Sequence, residues 1–331
     1  MAQYVIYKYE FVSSGTKSLF QPSGERASID TPESMSEYFG RELAKKGKLN
    51  LYRTKKTGEP TVYPNDIIRS CGGVTVMRVC NVKHVTLVHQ YQERVEETNP
   101  WCNVIIDARP DVAQIAIERS GAFGGNTDKV RDILQESLHA ALSPLGFTVE
   151  IRAKTRAAGF WEMVERRVFE QKDTVKRVVF DFSNPHTAGP VDAEPSMIER
   201  LSLIASLTRS MGAAKASLRM EAVKEGTLLL DRTKEDLAQM VSLCCNNGYD
   251  ISVHFRQMGV YRFGNRAHAV YDIEENLIND FNNGQAVIGK AEDETAYALI
   301  DKLDDIREQT KGYEDAKKID NRGKRKHRRA V

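Results

Sequence analysis

The apolar residues of this chain come in short runs, at a period of two near the N-terminus and later by turns at two and at about 3.6. That pattern builds sheets and packed helices. It excludes a membrane helix, which needs about 18 or more uncharged apolar residues in a row. Tyr4 to Val12 is the clearest run: Val5, Tyr7, Tyr9 and Phe11 alternate with Ile6, Lys8 and Glu10, which predicts a half-buried strand. Thr31-Pro32-Glu33 supplies a cap, a proline suited to the first helical position and a first-turn acid, so a helix is expected from Pro32 to Lys46, ending at Gly47. Short β-rich pieces follow at Leu49 to Thr54, Thr61 to Tyr63, Val74 to Cys80 and Lys83 to Gln90.

The acidic stretch Glu93 to Asn99, closed by Pro100, is the expected domain boundary. Beyond it strands and helices alternate. Strands are expected at Cys102 to Ile106, Val112 to Glu118, Phe147 to Lys154, Val175 to Phe182, Ala216 to Val223, Thr227 to Leu230 and Asp250 to Phe255. Helices are expected from the Asn126 cap to Leu142, then at Phe160 to Glu170, Met197 to Met211, Lys234 to Cys245 and Ala291 to Gln309. A chain of 331 residues suggests about two domains. The expected fold is α+β: a β-rich N-terminal domain over 1–98, a mixed α/β domain over 99–285, a C-terminal helix over 286–310 and a basic tail over 311–331.

Charge is unevenly placed. The 48 Lys and Arg nearly balance the 46 Asp and Glu, yet nine of those cations lie from Lys311 onward against Glu314, Asp315 and Asp320. The tail residues Lys317, Lys318, Arg322, Lys324, Arg325, Lys326, Arg328 and Arg329 read as an arm for phosphate contacts, each contact releasing condensed counterions. The bland alternative is a solubilising terminus, or an arm folded onto the acidic segment Asp272 to Glu308. Two further basic groups are candidates for the same ligand. Glu150, Arg152 and Lys154 share one face of the strand from Phe147, with Arg156 just beyond; a solvated sheet face would read the same way. The acid-free segment Ile251 to Tyr271 interleaves Arg256, Arg262 and Arg266 with Phe255, Tyr261, Phe263 and Tyr271, so bases could stack on rings while guanidinium groups hold phosphates, unless the rings are core.

Other chemistries find little support. Five cysteines without CxxC spacing argue for reduced thiols rather than disulfides or zinc. The run Gly121 to Asn126 lacks the lysine of a phosphate-binding loop, and His84 and His89 point to opposite faces of a strand. A metal-dependent nuclease would need Asp107 or Asp132 followed by Glu-x-Lys, and Glu150-Ile151-Arg152 puts arginine where that lysine belongs. No catalytic residue, metal or cofactor is therefore assigned. Lys8 and Glu10 interrupt what a secretory leader would keep apolar, so a cytoplasmic location is expected.

The segments Asn103 to Glu118, Phe160 to Val164 and Val175 to His186 resemble those of phage-exclusion and antiphage-defence proteins of the RexA and KwaB type. The resemblance spans Asn103 to Phe255 and implies an intracellular antiphage or phage-encoded protein that binds DNA with little sequence preference. The expected function is thus non-enzymatic, sequence-nonspecific nucleic-acid binding, DNA before RNA, by a homo-oligomer and away from membranes. The alternatives are a protein-interaction component or effector acting through its acidic C-terminal helix and, ranked below it, a metal-dependent nuclease.

Overall fold

The computed structural model describes residues 1–13, 29, 31–54, 58–89, 92–109, 112–183, 207, 211, 215–264, 267–284 and 292–311. In chain order the elements begin with β1 (Ala2–Ser13), α1 (Pro32–Lys45), β2 (Leu51–Thr54), β3 (Pro60–Tyr63), β4 (Asn65–Cys71) and β5 (Val74–Cys80). Next come β6 (Lys83–His89), β7 (Gln92–Thr98), β8 (Trp101–Asp107), β9 (Gln114–Glu118), α2 (Thr127–Leu142) and β10 (Phe147–Ala153). The chain continues through α3 (Ala157–Glu165), a π-helical turn (Arg166–Glu170), β11 (Val175–Ser183), β12 (Lys215–Glu221) and α4 (Glu235–Asn247). It ends with β13 (Asp250–Phe255), β14 (Gly259–Phe263), β15 (Val270–Ile273), α5 (Glu275–Asn282) and α6 (Glu292–Lys311). This is an α+β protein, β-rich at its start and closed by a helix.

Two compact units divide these elements. One holds Met1–Ile151, Ala188–Pro190 and Val270–Lys302, the other Arg152–Thr187, Val191–Ala269 and Leu303–Val331, so α6 has residues in both. In the first unit a seven-stranded sheet runs β10-β1-β9-β8-β5-β4, with β15 antiparallel to the first residues of β1. The expected boundary between residues 98 and 99 falls inside this unit: β8 and β9, after it, are bonded to β5 and β1, before it. The acidic stretch assigned to that boundary is itself β7, which forms a two-stranded ribbon with β6. Glu97 of that ribbon is exposed and stands opposite His84.

β1 is buried on both faces, Lys8 and Glu10 included, where alternation predicted one wet face. The Lys8 ammonium is satisfied inside by donating to the Val112 carbonyl at 3.0 Å. On the tyrosine side, Tyr9 and Phe11 meet Phe39 of α1 edge-on, and the Tyr7 hydroxyl donates to Thr127 Oγ1 at 2.8 Å, fixing the start of α2.

The second unit is built on the antiparallel sheet β12-β11-β13-β14. Its inward residues, Val178, Phe180 and Phe182 on β11 and Ile251, Val253 and Phe255 on β13, pack with Phe160, Trp161 and Val164 of α3 and Val241, Cys244 and Cys245 of α4. Thr227 to Leu230, expected as a strand, is irregular; Leu228 donates one backbone bond to Val175 instead. The helix expected at Met197 to Met211 lies outside the described residues, Leu207 and Met211 apart.

Candidate nucleic-acid interface

The face of the second sheet turned away from α3 and α4 is set by strand register. Arg219 stands opposite Val179, Val179 opposite Ser252 and Ser252 opposite Arg262, so one row across four strands has an arginine at each end. Three interstrand steps separate those arginines, or about 14 Å. The next row holds Glu221, Arg177, His254 and Val260. Arg177 Nε and Arg219 Nη2 both reach Glu221 Oε1, at 2.5 and 2.6 Å, so one carboxylate occupies two cations at the β12 edge. The β14 edge differs. Arg262 on β14 and Arg256 in the β13–β14 turn are exposed, and neither enters an ion pair among the described residues.

At the opposite end of β13 the row is acidic: Asp181 faces Asp250, and Ser217 Oγ donates to Asp181 at 2.5 Å. Partial burial raises the Asp250 pKa above the ordinary carboxylate value and the Asp181 charge raises it further, against the pull of Arg262, Arg152 and Lys215. Two basic groups chosen separately from the sequence, those of Arg152 and Arg262, thus act on one carboxylate.

The sequence-predicted residues fare unequally. Arg152 is half-buried, its guanidinium over the Tyr249 ring at 5.2 Å and its Nε–H donating to the Asn247 carbonyl at 3.3 Å. Lys154 is only 1% exposed and lines no open groove, because β10 ends at Ala153 and the alternation that placed Lys154 outward stops with it. Arg156 is exposed at the start of α3. Lys317, Lys318, Arg322, Lys324, Arg325, Lys326, Arg328, Arg329 and Arg266 lie outside the described residues. The rings between Phe255 and Tyr271 are core rather than platform: Phe255, Phe263 and Tyr271 are buried, and Phe263 meets Phe160 edge-on at 5.5 Å.

The remaining candidates are occupied by structural contacts. In the Gly121 to Asn126 run the amides of Phe123, Gly124, Gly125 and Asn126 all donate to backbone carbonyls, leaving no cradle for an anion. Asp107 is buried and held by Arg109 through Nε and Nη2 at 2.9 and 2.7 Å; Asp132 pairs with Arg53 at 2.7 Å. Among the described residues no three His, Cys, Asp or Glu side chains gather as a metal would need. All five cysteines are free thiols, and burial pushes Cys102 and Cys245 up to about 12, far from reactivity at neutral pH.

One feature escaped the sequence reading: Trp101, the first residue of β8, is half exposed, with the Arg78 guanidinium over its ring at 5.1 Å. A tryptophan directly after Pro100 was the available signal. No family model, curated protein or solved structure matches the chain. Among the described residues no helix is long and apolar enough to cross a membrane. The class defined here is therefore an α+β protein of two units, one of which presents an open, mixed-charge antiparallel sheet face.

Proposed function

We propose that the protein binds nucleic acid through its phosphate backbone, with little sequence preference and without catalysing a reaction on it. The observation that carries this reading is the pair Arg256 and Arg262, exposed at a sheet edge and in no ion pair among the described residues, in a chain that also ends in a dense run of cations. Arginine in such a setting gives planar, multidentate donors to phosphate oxygens, and phosphate contacts position a strand without reading its bases. The row Arg219–Val179–Ser252–Arg262 sets a valine and a serine between two arginines, of which Arg219 is already paired with Glu221, so Arg262 is the cation that this row offers to a phosphate. The resemblance of Asn103 to Phe255 to phage-exclusion and antiphage proteins is consistent with this role in the cytoplasm, and a homodimer would double the basic surface.

The test is retention of short duplex and single-stranded DNA on the purified protein at low salt, with and without Mg²⁺. Retention of intact DNA is the expected result. Cleavage in Mg²⁺ would replace this reading with a nuclease, and absence of retention would favour a protein partner for the exposed acids Asp301, Asp305 and Glu308 of α6.

A further inference from the structure

We infer that Trp101 and Arg78, in the first unit, form a stacking site for one unpaired nucleobase and its adjoining phosphate. The inference rests on the nucleic-acid reading above and adds a ligand form, single-stranded rather than duplex, and a second contact surface.

The register of the seven-stranded sheet builds the site. Cys80 at the end of β5 stands opposite Trp101 at the start of β8, and Arg78 opposite Asn103, so Arg78 and Trp101 occupy the same face two register positions apart. Trp101 is 50% exposed although a tryptophan is the costliest side chain to leave in water, and its neighbours keep it there. Ser120 Oγ donates to the Trp101 carbonyl at 2.9 Å, and Asn81 and Pro100 close the sheet just beyond it by a 2.8 Å backbone bond. The backbone that carries the ring is therefore fixed in place. Arg78 lies against it at 5.1 Å from the centroid.

Arg78 enters no ion pair among the described residues, and its Nε–H is buried without an acceptor. A guanidinium held by a ring rather than by a carboxylate keeps its charge available to an incoming anion. Among the described residues neither nearby acid forms an ion pair with it. Glu118 is committed to Asn103, accepting from its backbone N–H and from Nδ2, both at 2.8 Å; Asp66 stands across from Arg78 in register without pairing. An exposed indole on an ordered strand end, with an unpaired cation over its ring, suits a π-faced anionic ligand, and a nucleotide with an unstacked base is that ligand. A base inside a duplex has no face to offer.

Trp101 and Trp161 are the two tryptophans, and Trp161 is buried in the second unit, so indole fluorescence reports the site. Labelled oligothymidylate is titrated against the full chain at low salt, reading anisotropy for binding and tryptophan emission for stacking. Expected are quenching on binding, roughly 5- to 150-fold weaker binding by Trp101→Ala, and most of the affinity kept by Trp101→Phe with the quenching lost. Should Trp101→Ala not fold, the wild-type and Trp101→Phe emission comparison stands alone. Binding with unchanged emission, or with unchanged affinity in a folded Trp101→Ala, overturns the stacking site and leaves the nucleic-acid reading intact. Binding of duplex but not oligothymidylate overturns it as well. No binding of any DNA removes both.

Discussion

Asp250 is a carboxylate that competes with an incoming phosphate for the exposed Arg262 of the second sheet. Burial and then Asp181 raise its pKa, so it takes up a proton more readily than an ordinary aspartate. A raised carboxylate pKa means the anion is present above that value and gone below it. DNA affinity should therefore rise as pH falls through the range just above the usual aspartate value. Asp250→Asn should give the gain already at neutral pH, roughly two- to five-fold, the size of one partly screened charge. Anisotropy titrations of the two proteins across pH check both statements; a variant identical to wild type at every pH would place the DNA away from Arg262.

At the scale of elements, sequence signals were reliable wherever local chemistry decides the outcome. Thr31 caps α1 by accepting from the Ser34 N–H at 3.2 Å, Asn126 caps α2 by accepting from Asp128 at 3.0 Å, and Val74 to Cys80 and Asp250 to Phe255 form strands with the expected limits. They failed where a distant group supplies the partner. Lys8 is legible as buried only once Val112 is known to lie over it, and the aromatic run before Tyr271 looked like a platform because its core partners, Phe160 among them, are far away in sequence. Of the candidate site, the exposed Arg256 and Arg262 were legible, whereas Trp101 was not, since exposure of a large ring follows from sheet register rather than from spacing. A similar long-range dependence fixes the end of α5. Arg69 of β4 donates to the Phe281 carbonyl at 2.6 Å and to Thr295 Oγ1 at 3.2 Å, and lies over the Phe281 ring at 5.3 Å. Buried Gly284 leaves room for that guanidinium, which a Cβ there would overlap. Gly284→Ala should displace Arg69 and cost about 2–3 kcal/mol in denaturant unfolding, the worth of charged hydrogen bonds and a cation–π contact. Because Arg69→Ala removes the same contacts, the double variant should be little worse than either single one. Additive losses would mean that Gly284 matters for its own backbone instead.

For the molecule as a whole, the near-neutral charge conceals a polarity that should govern binding. Up to Thr310 the chain holds 39 Lys and Arg against 43 Asp and Glu, and the excess of cations comes entirely from the residues after it. A body of negative net charge repels a polyanion at long range, so the local arginines of the sheet act only once something has brought the strand within about a Debye length, roughly 10 Å at 0.1 M salt. The terminal cations have the charge density for that task. If they neutralise about five phosphates, log affinity should fall against log salt with a slope of roughly −4 to −5, a loss of about 500-fold between about 50 and 200 mM. Deleting Arg322 to Val331 removes six cations and no acid, leaving 42 against 46. The truncated protein should bind far more weakly at low salt and with a visibly shallower slope, while Arg262→Ala in the full chain should lower affinity and reduce the slope by only about one. An unchanged slope after the truncation would take the terminus out of the binding mechanism and leave the sheet and Trp101 to account for whatever affinity is measured.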